Sequence, residues 1–180
     1  MSEPQPASAI AVVLIGHGAP ATDCPPQLVG ELMSLEWRSN HAGPNPQLQQ
    51  RAAALDAQIR QWPRHAGNDP YQAGLERIAQ ALRPLLPTAL LAIGYNEFCQ
   101  PTIPAAIAQV IRQGAGRILV IPSMLTPGGR HAERDIPQAL EEARRTHPNV
   151  AIEYCWPFDV RQVASLLAAH IQAAMTQAVG

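Results

Sequence analysis

The chain has 180 residues, enough for one domain, and a globular domain of this size buries roughly 70% of the surface its unfolded form exposes, so no staple is needed to fold it. Its basic residues are all arginine, 13 of them against 14 acids, and the net charge of −1 excludes a broad basic field for nucleic acid or anionic lipid. Cys24, Cys99 and Cys155 are odd in number and widely spaced, with no CxxC pair, which argues against a disulfide framework or structural zinc and makes a reducing cytoplasm the expected compartment.

Residues 1–8 carry Glu3, Pro4 and Pro6 without a basic cluster and read as a frayed tail, followed by a single α/β domain over 9–180. The apolar run after the tail is too short for a membrane span. Ala9 to Ile15 (AIAVVLI) is continuous and rich in β-branched residues, as expected of a strand buried on both faces of a parallel sheet. Three further strands are expected at Ala89 to Ile93, Arg117 to Ile121 and, more weakly, Val150 to Cys155.

Helical spacing marks Pro101 to Gln113, closed by Gly114, then Asp135 to Thr146 and Asp159 to Ala178. Strand and helix alternate, which predicts right-handed crossovers and a four-stranded parallel sheet flanked by helices on both faces. The long link of 19–88 holds expected helices at Gln27 to Trp37, Pro46 to Gln61 and Tyr71 to Leu86. A structureless link of that length is improbable in a compact domain, so a helical insertion after the first strand is expected.

Ligands of open parallel sheets bind beyond the carboxyl ends of the strands. The first strand runs into Gly16-His17-Gly18-Ala19-Pro20, whose glycines allow a sharp turn and leave His17 at the strand mouth. Prolines 20, 25 and 26 follow instead of a GxGxxG pattern, which disfavours a dinucleotide site. The second strand leads to Glu97 just before a helix capped by Thr102, with Pro104 in its first turn. The third leads through Pro127-Gly128-Gly129-Arg130 to His131, expected in a loop, with Asp135 expected to cap the next helix.

Taken singly, each residue has a plainer role: a hydrogen-bonded structural histidine for His17 or His131, a surface or capping acid for Glu97. Together, three strands deliver two imidazoles and a carboxylate to one rim. Mixed nitrogen and oxygen ligands suit cobalt, nickel, ferrous iron or zinc better than calcium or magnesium.

Three words of sequence are similar to successive motifs of the CbiX/SirB sirohydrochlorin chelatase family: LIGHG at Leu14 to Gly18, EFCQPTIPAAI at Glu97 to Ile107 and PGGRHAERDIP at Pro127 to Pro137. They occur in family order, over a core of residues 9–18 and about 90–137, with the insertion uncovered. The resemblance implies a lyase that inserts a divalent metal, Co2+ first and otherwise Ni2+ or Fe2+, into sirohydrochlorin or a related tetrapyrrole, with the metal as substrate and no organic cofactor. It also implies a homodimer, because the family's short members pair while its long members have two lobes.

On that resemblance, His17 and His131 hold the metal and accept pyrrole protons, with Glu97 as a further ligand or acceptor. Asp135, four residues after His131, is within reach to orient its ring, although a helix cap is the plainer reading. Arg130 and Arg134 are candidates to pair with macrocycle carboxylates, and Tyr95, Phe98, Met124, Leu125 and Pro127 to wall the ring. In the insertion, Trp37, His41, Trp62, His65 and Tyr71 are concentrated polar and aromatic groups that either close over the macrocycle or, the favoured reading, pack the extra helices. The competing class is a tetrapyrrole or metal carrier without turnover. A hydrolase is disfavoured by the absence of a GxSxG elbow.

Overall fold

A computed structural model describes residues 9–177 apart from 42 and 44. The expected tail at 1–8, and Ala178 at the expected end of the last helix, lie outside the described residues. The strands are β1 (Ala9–Gly16), β2 (Leu90–Tyr95), β3 (Ala115–Pro122) and β4 (Ala151–Tyr154), and the helices α1 (Pro26–His41), α2 (Pro46–Arg60), α3 (Pro70–Leu82), α4 (Ile103–Arg112), α5 (Ile136–Thr146) and α6 (Val160–Gln177). All strand pairs are parallel, in the order β2-β1-β3-β4. The α/β architecture read from the alternating pattern is the one observed, and α1 to α3 form the helical link between β1 and β2.

Alternation along β1 divides its side chains between two layers, as the pleat requires. Ala11, Val13 and Ile15 face a core built with Ile103, Ala106, Ile107 and Val110 of α4 and Ile136 and Leu140 of α5. Leu14 faces the other side, where it meets Leu75 and Ala79 of α3. Burial on both sides explains why β1 reads as an unbroken apolar run. A third cluster joins Leu32 and Leu35 of α1 to Leu55 and Ile59 of α2, so the insertion has a core of its own.

The caps follow local chemistry. Asn45 caps α2, Asp69 caps α3, and Thr102 caps α4 by accepting from the Ala105 amide, with a proline in each first turn. Beyond α4, Gly114 adopts φ +94°, a left-handed conformation that suits glycine after a helix end.

Two expectations at the start of α5 are corrected. His131 is not in a loop but opens a π-helical turn, His131–Asp135, that leads directly into α5. Asp135 does not cap: its dihedrals are helical, at φ −70° and ψ −46°, and its carboxylate makes no capping bond. A residue already inside the helical run cannot fold its side chain back onto the following amides.

None of α6 is buried, although Leu166, Leu167, Ile171 and Met175 are all more than half exposed along it. No helix among the described residues is long and apolar enough to cross a membrane.

Candidate metal centre

The carboxyl ends of β1, β2 and β3 open at one edge of the sheet, and the turns that leave them hold each other by backbone bonds. The Asn96 amide donates to Gly16 O at 3.0 Å, and the Glu97 amide to His17 O at 2.8 Å. This approach needs Gly18: a side chain there would overlap the Glu97 carbonyl oxygen, and its φ is +90°. The GHG word thus serves the packing of two turns as well as exposing the imidazole.

Arginines from the insertion clamp the same turn. Arg60, at the end of α2, donates to Cys99 O at 2.7 Å and Asn96 O at 2.8 Å. Arg64 donates to Ala19 O at 2.9 Å and Phe98 O at 2.5 Å, and pairs with the buried Asp69. Phe98 sits at φ +58°, a left-handed conformation unusual outside glycine, with its carbonyl held by Arg64. The Tyr71 hydroxyl accepts from the His17 amide at 2.7 Å.

On this scaffold His17, Glu97 and His131 converge, each offering a ligand atom within 4.8 Å of the others. The imidazole rings stand perpendicular, with centroids 4.6 Å apart. His17 Nδ1 lies 2.8 Å from Gly18 O, which can only accept, so the ring proton sits on Nδ1 and the Nε2 lone pair is free. That nitrogen is 4.0 Å from Glu97 Oε2. His131 Nδ1 lies 2.8 Å from Asp135 Oδ2 and 3.7 Å from Glu97 Oε1, so it too carries its proton inward and leaves Nε2 free. Asn96 Nδ2 is placed 2.8 Å from the same Nδ1, and since a protonated Nδ1 cannot accept from it, the Asn96 amide turns its oxygen to the ring. Two imidazoles and a carboxylate brought this close form a donor set suited to a shared divalent cation.

The centre opens into a cavity of about 540 Å3, walled by His17, Glu97, Phe98 and His131 on one side and by α1 on the other. A second, more polar cavity of about 380 Å3 adjoins it and shares Glu36, Glu97, Phe98 and Arg130. Burial, reinforced by repulsion from Glu97 and Asp56, raises the Glu36 carboxyl above the usual range. Arg130 lines both cavities, with Nε 3.3 Å from Asp135 Oδ2, while Arg134 is an exposed neighbour 3.6 Å from Asp135 Oδ1.

Tyr95 and Met124 line neither of these two cavities. Tyr95 is 1% exposed, packed with Leu14, Leu75 and Cys99, because its position in β2 turns it into the α3 layer. Its hydroxyl has no partner among the described residues, and burial raises its pKa. Met124 is half-buried against the core under α4 and α5. Of the insertion's polar and aromatic groups, Trp37 and His41 line the larger cavity. Trp62 packs between α1 and α2, donating from Nε1 to Asp23 at 3.0 Å. Arg60, Arg64 and Glu36 were not legible as site residues, since an arginine bonded to carbonyls has no sequence signature.

The sequence model of the CbiX family matches residues 66–174. The chain belongs to the CbiX family. The matched span includes Glu97 and His131, while His17 and the first two insertion helices lie before it. A sirohydrochlorin cobaltochelatase of Methanocaldococcus jannaschii is 39% identical over 77 residues, 42% of this chain and 53% of the relative. A sirohydrochlorin ferrochelatase of Priestia megaterium is 35% identical over 66 residues, 37% of this chain and 24% of the relative. The chain therefore spans about half the length, or less, of these curated relatives. A crystal structure of a CbiX protein from Marinobacter aquaeolei covers 93% of this chain and 98% of its own at 16% identity and a TM-score of 0.56, a likeness of fold.

Proposed function

We propose that this CbiX-family chain is a chelatase that inserts a divalent metal ion, cobalt first and otherwise nickel or iron, into sirohydrochlorin or a related tetrapyrrole. The observation that carries this is the convergence of His17, Glu97 and His131 at the mouth of a cavity of about 540 Å3. Relatives named for cobalt and for iron insertion support the reaction and leave the ion open between them.

Insertion removes two pyrrole protons while the metal sheds water. Both tasks call for neutral bases near pH 7, which imidazole supplies. His17 and His131, each with Nδ1–H committed to a protein acceptor, present Nε2 to the incoming ion or to a pyrrole proton. Glu97 balances the ion's charge and is the second acceptor. Arg130, at the rim, is placed to meet a macrocycle carboxylate, for which guanidinium geometry is suited, and Arg134 extends that basic edge.

The reading includes a cytoplasmic homodimer. The free cysteines support the compartment, and the exposed Leu166, Leu167, Ile171 and Met175 of α6 support a second copy, since a helix with an apolar stripe buries it somewhere. A strict monomer by light scattering overturns the dimer.

The deciding experiment mixes purified protein with metal-free sirohydrochlorin and supplies Co2+, Ni2+ or Fe2+ in turn, following the ring's absorption. Acceleration over the uncatalysed rate with any of these ions is expected. Stoichiometric ring binding with no acceleration identifies a carrier instead and overturns the chelatase.

A further inference from the structure

We infer that a stripe along α1, Val29, Met33, Trp37 and His41, is the platform on which the flat face of the tetrapyrrole lies, with Trp37 as its main positioning residue. This rests on the chelatase reading above and assigns a role to a helix outside the span that matches the family.

Helix α1 has two apolar faces. Leu32 and Leu35 are buried against α2 and anchor the helix. Val29, Met33, Trp37 and His41 recur every four residues, which aligns them in one row. Val29 is half-buried against the α1–α2 core, but Met33 and Trp37 are left open, at 59% and 63% exposed. A single exposed methionine or tryptophan needs no explanation, but an aligned row facing a metal centre does. All four residues line the same cavity of about 540 Å3 as His17, Glu97 and His131.

Trp37 is also held in place. The His41 ring stacks on its indole, with centroids 4.5 Å apart and planes 21° from parallel, and His41 Nδ1 donates to the Trp37 carbonyl at 2.7 Å. An aromatic already fixed by its neighbour loses little freedom when a ligand lands on it. The ligand that fits is flat, aromatic and metal-binding. Its face meets indole and thioether, its centre reaches the imidazoles across the cavity, and the cavity volume is in the range of small-molecule sites. A second protein copy fits less well, because an apolar protein surface on this wall would strip water from Glu36, Glu97 and Arg130.

The test titrates metal-free sirohydrochlorin into wild type, Trp37→Ala, Trp37→Phe and Met33→Ala, read by ring absorption and by quenching of tryptophan fluorescence. Cobalt is titrated alone in parallel. Trp37→Ala is expected to raise the ring Kd and the KM roughly tenfold, with kcat changed far less, and Trp37→Phe to restore most of the loss. Affinity for cobalt alone stays at the wild-type value. Wild-type ring affinity in Trp37→Ala, in a protein that still inserts metal, overturns the platform and leaves the chelatase standing. Conversion of a dimer to a monomer in that variant, with ring affinity unchanged, makes the row a protein interface and overturns it equally. If the wild type binds no tetrapyrrole, both readings fall.

Discussion

Asp135 accepts a hydrogen bond from His131 Nδ1 at 2.8 Å, across one turn of the π-helical segment that opens α5. Four residues apart, the two side chains share one face of the helical run, and the bond decides which imidazole nitrogen is left for a metal. Asp135→Asn keeps the shape but loses the obligate acceptor. We expect roughly a 10–100-fold loss in cobalt affinity or insertion rate with the fold intact by circular dichroism. Wild-type cobalt affinity in the variant would show that the ring needs no such orientation.

His17 and His131 are expected to be individually indispensable for insertion, because each contributes one of two nitrogen donors to a three-residue centre. His17→Ala and His131→Ala should each lower the insertion rate by more than about 100-fold, the scale on which a positioned base contributes, at unchanged melting temperature. Rates near wild type in both variants refute the assigned roles.

Gly18→Ala probes the joint between the β1 and β2 turns. The added methyl meets the Glu97 carbonyl oxygen, and a φ of +90° disfavours any side chain. The expected cost is about 1–3 kcal/mol, a drop of several degrees in melting temperature. Because the clash falls on the turn that carries Glu97, cobalt affinity should fall too. A stable variant with normal cobalt binding would mean that the two turns move apart without consequence.

Much of this arrangement was legible in the residues. Burial on both faces of β1 left an apolar run, Thr102 and Pro104 marked the start of α4, and glycines flanked the imidazole of His17. What escaped was register and handedness at single positions. Tyr95 looked like a cavity residue because it follows a strand, yet the pleat turns it into the α3 layer, one residue before Asn96 reaches the site. Asp135 looked like a cap because Pro137 fits a first turn, but a π turn extends the helix backward, and a π turn leaves no composition signal. Arg60 and Arg64 bond to carbonyl oxygens, which every residue has, so nothing in the sequence pointed to their partners.

Arg64 carries the heaviest structural duty. Its side chain is 9% exposed, its ion-pair partner Asp69 1%, and it also holds the carbonyls of Ala19 and Phe98. Arg64→Leu leaves the buried Asp69 carboxylate without its partner, at a cost of about 3–5 kcal/mol. Arg64→Leu combined with Asp69→Asn should recover part of that loss, because the stranded charge is gone. Denaturant melts of the four proteins in the cycle check it. Additive losses would show that the two residues act independently.

Glu36 gives the pH prediction. Its folded-state pKa is raised by burial first, and then by Glu97 and Asp56. A carboxyl raised on folding favours the fold while protonated, so its contribution is full below its unfolded pKa and is lost as pH rises through the folded value. At neutral pH the wild type has therefore lost it, and Glu36→Gln, which cannot ionise, should melt at a higher temperature than wild type. The gain should shrink as pH falls toward the ordinary glutamate range and vanish below it. Melting curves of both proteins between pH 4 and about 8 decide the matter. A gap that stays constant with pH would mean that Glu36 is solvated well enough to titrate as an ordinary surface acid, and that the ion-facing cavity is more open to water than its walls imply.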